Sequence, residues 1–325
     1  MKLAVTSSHL RRILIAAIAL VALAALAPGA ASADTASVDV SGLSPDVGIS
    51  GDGLVLDAAN LAVPVNAEDG AAGVVPAGLL PEVILDEVVP PVVPPGGDRS
   101  VIGSDGRWQV TNTTSYPYSA IVHITSNQGS CTGWLYGRDT VATAGHCLHS
   151  GGSGGSWVNV GSITVTPARN GWSAPYGSCS ARQVYSVLGW TRDNSYNYDY
   201  GSIKLNCTVG DYTGWFGYYW NDASRVNNWM YVTGYPGDKS WGTMWGMGGY
   251  IHTENSRRLY YSLDTAPGQS GSPLYHYINS SYCGGYCSNG IHSYGVGGGG
   301  SSYYNSATRI NSPVFNNLYN WKYYG

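Results

Sequence analysis

The residues able to build a packed core all lie on one side of position 100. Every cysteine, tryptophan, tyrosine and phenylalanine of this 325-residue chain falls between Ser100 and Gly325. From Asp34 to Arg99 there are eleven acidic residues against one basic, among many Pro, Gly and Val. A stretch of that kind cannot bury an aromatic core, so residues 34–99 read as an acidic, Pro/Gly-rich propeptide that is largely disordered. It ends in VVPPVVPPGGDR, a stiff, exposed tether open to cleavage after Arg99. Ahead of it, Lys2, Arg11 and Arg12 precede a wholly apolar run from 13 to 26, and Ala31-Ser32-Ala33 has the small-residue spacing of a signal-peptidase site. Residues 1–33 are therefore expected to be a signal peptide removed after Ala33, since the run is shorter than the about 20 residues that a membrane span needs. That leaves residues 100–325 as the mature domain of an exported, extracellular protein.

The mature part carries twelve Lys plus Arg against nine Asp plus Glu, so the formal −4 of the whole chain sums over pieces that separate. It has no basic run for nucleic acid and no apolar stretch to hold it in a membrane once the leader is gone. Short runs such as AIVHI, VATAG, SITVT, YGSIKL, MYVTGY and LYYSL alternate with Gly, Asn, Ser and Pro clusters, an all-β signature. One helix is expected near the end, with Ser312 as N-cap, Pro313 in the first turn, and Val314, Leu318 and Trp321 on one face. The glycine-rich GVGGGGSS at 295–302 lacks the lysine and following helix of a phosphate cradle. Six cysteines in an exported chain are expected to pair. Closeness in sequence favours Cys131 with Cys147 and Cys283 with Cys287, leaving Cys179 with Cys207, although fifteen pairings are open in principle. A zinc site of Cys283, Cys287 and His292 is the competing use of these residues, and no metal is expected.

Three segments carry chemistry. Ser270 lies in GQSGSP, where glycines allow a tight turn whose backbone N–H groups, those of Gly268 and Ser270, can face a developing oxyanion. His146 lies in TAGHC at the end of a strand-like run, beside a cysteine that can lock its loop. Asp199 lies between Tyr198 and Tyr200, a setting that suits a buried carboxylate, with Asp193 as runner-up. The order His, Asp, Ser supplies a general base, its orienting acid and a hydroxyl nucleophile. The α/β-hydrolase order is excluded, because it needs an acid after the serine and Asp264 is the last acidic residue.

These segments resemble the chymotrypsin-like serine peptidases, and more closely the bacterial glutamyl endopeptidases of the Bacillus and staphylococcal V8 type. The likeness runs through most of the mature chain, in SVIGSDGR, TNTTSYPY, SCTGW, VATAGHC, YDYG, GYPGDK, GQSGSP and TRI. It implies two six-stranded antiparallel β-barrels with the active site between them, maturation after Arg99, and no cofactor. It also implies a monomer acting on proteins and peptides, in contact with its own propeptide before maturation. The pair Cys179 and Cys207, and His252, have no clear counterpart in that pattern.

The resemblance further assigns His292, in GIHS, to receive a substrate carboxylate, with Thr265 as the nearby hydroxyl. A histidine suits the task, since a carboxylate beside it favours its charged form and a charge-assisted hydrogen bond. His123 and His276 have no motif and read as structural. The competing reading is a trypsin-like preference for Arg or Lys through Asp264, six residues before Ser270. Composition leans toward glutamate: Glu254 is the single glutamate of the mature part, as fits an enzyme that would otherwise cut itself. An inactive peptidase-fold binding protein is the remaining alternative, and it would be expected to lack a member of the triad.

Overall fold

Runs such as AIVHI are apolar on both sides because their strands belong to closed barrels, with one face turned inward and the other packed against the rest of the molecule. The computed structural model describes residues 39–56, 63, 65–73, 83–84, 101–279 and 283–325. The leader, Ala33 and Arg99 lie outside the described residues.

The first barrel runs through strands 164–167, 121–126, 129–135, 140–143, 201–205 and 179–187, and Thr164 pairing with Ser180 closes the ring. The second runs through 273–278, 229–234, 244–254, 258–261, 305–309 and 285–294, closed by 273–278 against 285–294. Closure removes the free strand edges that would otherwise recruit other chains. The architecture is thus the two six-stranded antiparallel barrels that the resemblance implied. Among the described residues no helix is long and apolar enough to cross a membrane.

The helix Ser312–Tyr323 seals the first barrel. Val314, Phe315, Leu318 and Trp321 are fully buried along one face, each contributing on the order of 1.5–3 kcal/mol by leaving water. Trp321 stacks on Tyr185, with ring centroids 5.9 Å apart, and Phe315 meets Tyr218 at 5.0 Å. The N-cap is Asn311, not Ser312: its side-chain oxygen accepts the N–H of Val314 at 3.2 Å, three residues on, as a cap requires. The cysteines are joined as Cys131–Cys147, Cys179–Cys207 and Cys283–Cys287, so the last pair has no thiolates to offer zinc.

Where the acidic segment is described, parts of it pair with strands of the mature part. Gly48–Ser50 pairs with Tyr185–Val187, Ala67–Glu68 with Tyr218–Tyr219, Ala71–Ala72 with Gly214–Trp215, and Val83–Ile84 with Ser173–Ala174. The segment has no aromatic core of its own. It gains order by completing hydrogen-bond ladders on a domain that already has one.

Candidate active site

The strand 140–143 ends in a single 3-10 turn, Gly145–Cys147, which projects His146 toward the space between the barrels. Cys147 next to it is tied to Cys131 on the neighbouring strand, fixing the turn from behind. Asp199 sits at the start of the strand 201–205 and is wholly buried. Its Oδ1 accepts the His146 backbone N–H at 2.8 Å and its Oδ2 meets His146 Nδ1 at 2.7 Å. Holding both the backbone and the ring of one residue leaves the imidazole a single orientation. Burial alone would push the His146 pKa down, but the Asp199 charge and hydrogen bond outweigh it and raise the pKa. Burial likewise opposes the Asp199 charge, yet the His146 charge and bond, the Tyr294 hydroxyl and the His146 amide together hold the carboxyl below its ordinary range.

Ser270 enters the same cleft from the second barrel. The cavity is lined by Ile124, Ser130, the Cys131–Cys147 disulfide, His146, Pro267, Gly268 and Ser270. Gly268 and Gly271 flank the serine with φ of +96° and +91°. A Cβ at Gly268 would lie 2.6 Å from the Tyr235 carbonyl oxygen and one at Gly271 2.0 Å from that of Thr132, so neither site admits a side chain. Thr132 donates its N–H to the Ser270 carbonyl at 2.8 Å and its hydroxyl to that of Gly268 at 2.8 Å, pinning the turn to the first barrel. Behind it, the buried Arg107 guanidinium bonds Asp105, Asp238 and Gln269 Oε1, the last residue before the serine.

His292 lies next to the nucleophile by backbone contact: Gly271 N–H donates to the His292 carbonyl at 2.7 Å, and His292 N–H to that of Ser272 at 2.9 Å. Its side chain is buried and its Nδ1 meets the Tyr261 hydroxyl at 2.7 Å. Burial first, then the charges of Arg258 and His146, push its pKa down to about 3, against weaker opposing pulls from the Ser306 backbone and Asp199. Thr265 is fully buried and its hydroxyl has no partner among the described residues.

Asp264 is also buried, but it is occupied. Oδ1 accepts the N–H of Ile102 at 2.7 Å and Oδ2 that of Gly106 at 2.8 Å, so the carboxylate anchors residues 102–106. Asp193 pairs with Arg192 at 2.6 Å near the surface, away from His146. His123 meets Ser130 and His276 meets Tyr219, both held neutral by burial, and His252 stacks on Tyr304. Among the described residues, one group of three potential metal donors comes together, Cys131, His146 and Cys147, and its two sulfurs are bonded to each other.

Two residues were not legible as part of this site. Arg258 is fully buried, donating from Nη1 to the Tyr196 carbonyl at 2.8 Å and from Nη2 to the Ser306 hydroxyl at 2.6 Å. No carboxylate pairs with it directly among the described residues. Burial lowers its pKa and the nearby Asp199 charge opposes that. Tyr294, the other, lies under Arg258 and beside the His146 ring, 5.2 and 5.9 Å away, with its hydroxyl on Asp199. A signal for Tyr294 was present in its spacing, two residues beyond His292. Arg258, in SRRLYY, looks like any surface arginine in sequence.

Residues 107–318 match the trypsin family. The chain is 48% identical over 233 residues to the glutamyl endopeptidase of Bacillus licheniformis, covering 71% of this chain and 72% of that protein. It is 43% identical over 229 residues to a Bacillus subtilis protein named extracellular metalloprotease, covering 68% and 69% of the two chains. Among solved structures, a Glu endopeptidase in complex with MPD superposes with a TM-score of 0.60 at 28% identity, covering 68% of this chain and 99% of that one.

Proposed function

This chain belongs to the trypsin family and is a serine endopeptidase, and from that premise we propose that it is secreted as a zymogen and cuts proteins after glutamate, less readily after aspartate. The observation that carries this reading is His292, a buried neutral imidazole hydrogen-bonded through its backbone to Gly271 and Ser272, the two residues after the nucleophile. In the tautomer in which the Tyr261 hydroxyl donates to Nδ1, the ring proton sits on Nε2, where it can hydrogen-bond a substrate carboxylate. The unpartnered Thr265 hydroxyl offers a second donor. An incoming carboxylate favours the charged imidazole, so binding glutamate draws a proton onto a histidine that is neutral without it. The name of the Bacillus licheniformis relative points the same way. A preference for arginine through Asp264 is disfavoured, because both oxygens of that carboxylate already hold backbone N–H groups.

The reaction follows from the arrangement. His146 Nδ1–H donates to Asp199, which leaves the Nε2 lone pair to take the Ser270 proton as Oγ attacks the scissile carbonyl. The amides of Gly268 and Ser270 stabilise the resulting oxyanion. His146 then gives its proton to the leaving amine, and water repeats the sequence to release the acyl group. Secretion is supported by the apolar leader and three disulfides. The enzyme acts as a monomer needing no cofactor. Digestion of an unfolded protein of known sequence, with the new termini read by mass spectrometry, tests the specificity. Cuts concentrated at Glu-X bonds are expected, and a product set without them would refute it.

A further inference from the structure

The described part of the acidic segment grips the molecule at two places. At the first, Gly51, Leu188 and Gly189 exchange backbone hydrogen bonds with Val184, Val47 and Pro45 at 2.8 to 3.0 Å, continuing the strand pairing of Gly48–Ser50. Arg192 Nη1 donates to the carbonyls of Val40 and Leu43 at 2.7 and 2.9 Å. The Asp46 carboxylate takes both Nη atoms of Arg257, on the second barrel, at 2.6 and 2.8 Å. Asn317 of the C-terminal helix donates to the Asp46 carbonyl at 2.8 Å. At the second grip, Glu68 accepts Lys322 Nζ at 2.6 Å and the Tyr323 hydroxyl at 2.8 Å, while Asp69 accepts the Gly284 N–H at 2.9 Å.

One short segment thereby joins the first barrel, the second barrel and the middle and end of the helix, through contacts between residues far apart in the chain, by as much as 271 positions for Asn317 and Asp46. Such pairings are slow to find, because the long loops between them must close before any contact rewards the closure. The segment also leaves the active cleft alone. Among the described residues, none of those lining the cavity at His146 and Ser270 hydrogen-bonds to residues 39–73. These contacts suit holding elements together and do not suit plugging the site.

Glu68 adds a second property. It is the only glutamate between residues 39 and 73. While docked, its backbone is in a strand pair and its carboxylate is in an ion pair, so the 68–69 bond cannot be drawn extended into an active site.

We propose that residues 39–73 are a folding clamp that stays on the barrels after the chain is cut at Arg99, and that the enzyme destroys the clamp by cutting after Glu68 once it comes off. The second half rests on the glutamate preference proposed above. In that step the Glu68–Asp69 amide bond breaks, and water supplies the hydroxyl of the new Glu68 carboxyl and a proton for the new Asp69 amine. Undocking then becomes irreversible without any further component.

The test uses the full-length Ser270→Ala chain, nicked at Arg99 with an arginine-specific protease and passed over a sizing column. The fragment bearing residues 39–73 is expected to co-elute with the barrels. Elution as a separate peptide at micromolar concentration would overturn the clamp. The complex is then given a trace of active wild-type enzyme, beside a synthetic peptide of residues 60–76. Cutting after Glu68 is expected at least about tenfold slower in the complex, and the Lys322→Ala/Tyr323→Phe chain should lose most of that protection. Equal rates in complex and peptide would overturn the protected-clamp step. A co-eluting fragment together with a peptide cut elsewhere but not after Glu68 would instead refute the glutamate reading and the release step, leaving the retention intact.

Discussion

His146, half-buried in the cleft, and His292, buried beside the nucleophile turn, face opposite demands. His146 has a carboxylate on Nδ1 and its pKa is raised, while His292 has a phenol on Nδ1 and its pKa falls to about 3. Desolvation acts to lower the pKa of both, and what separates them is the sign of the charge close by. Asp199 holds the first ready to accept a proton in the reaction. Burial first, then Arg258 and His146, keep the second neutral until a substrate brings a negative charge of its own.

Removing the carboxylate should collapse the distinction most severely. Asp199→Asn is expected to lower kcat by roughly ten-thousandfold, because the amide no longer fixes the base tautomer. Steady-state kinetics on a glutamyl substrate would show it, and a loss under tenfold would mean that Asp199 does not orient His146. Removing the other ring sharpens the contrast, since His292→Ala should reduce kcat/KM for glutamyl peptides by about 2–3 kcal/mol of lost charge-assisted bonding, on the order of a hundredfold. The same variant should change leucyl substrates little, and equal losses on both would make His292 a packing residue.

Arg258→Met tests the charge between them. The groups facing His146 are Asp199, the Tyr294 and Trp190 rings, and Arg258 at longer range. The arginine opposes protonation of His146, so its removal should raise that pKa further and carry the acidic limb of the kcat/KM profile to higher pH. A limb that stays in place or moves to lower pH would contradict this. Thr265→Val should have the smallest effect, weakening kcat/KM for glutamyl peptides by about 1 kcal/mol, or several-fold, if one neutral hydrogen bond is lost. No change on glutamyl peptides would remove Thr265 from the pocket.

The sequence was most informative where function is concentrated in a few adjacent residues. His146 next to Cys147, Asp199 ahead of an apolar strand and Ser270 between two glycines could be read locally, because each motif makes its own turn. Arg258 could not be read, since its meaning comes from lying across a strand pair from Ser306 and Thr308 and over the Tyr294 ring, which only the closed barrel brings about. Asp264 was misleading for a related reason. Its spacing from Ser270 fits a trypsin pocket, but its partners Ile102 and Gly106 are about 160 residues away in the chain. The acidic segment was read as largely disordered because it lacks aromatic residues, and the strand pairs at 48–50, 67–68 and 71–72 could not be read because strands added to an existing sheet need no core of their own.

The most direct test is kcat/KM of the mature enzyme on matched peptides with Glu, Asp, Arg or Phe before the scissile bond, measured with wild type, His292→Ala and Asp264→Ala. A preference for Glu of about a hundredfold or more over Arg and Phe, lost in His292→Ala, is the predicted result. A preference for Arg that survives in His292→Ala and disappears in Asp264→Ala would contradict the assignment of the pocket, while leaving His146, Asp199 and Ser270 in their roles.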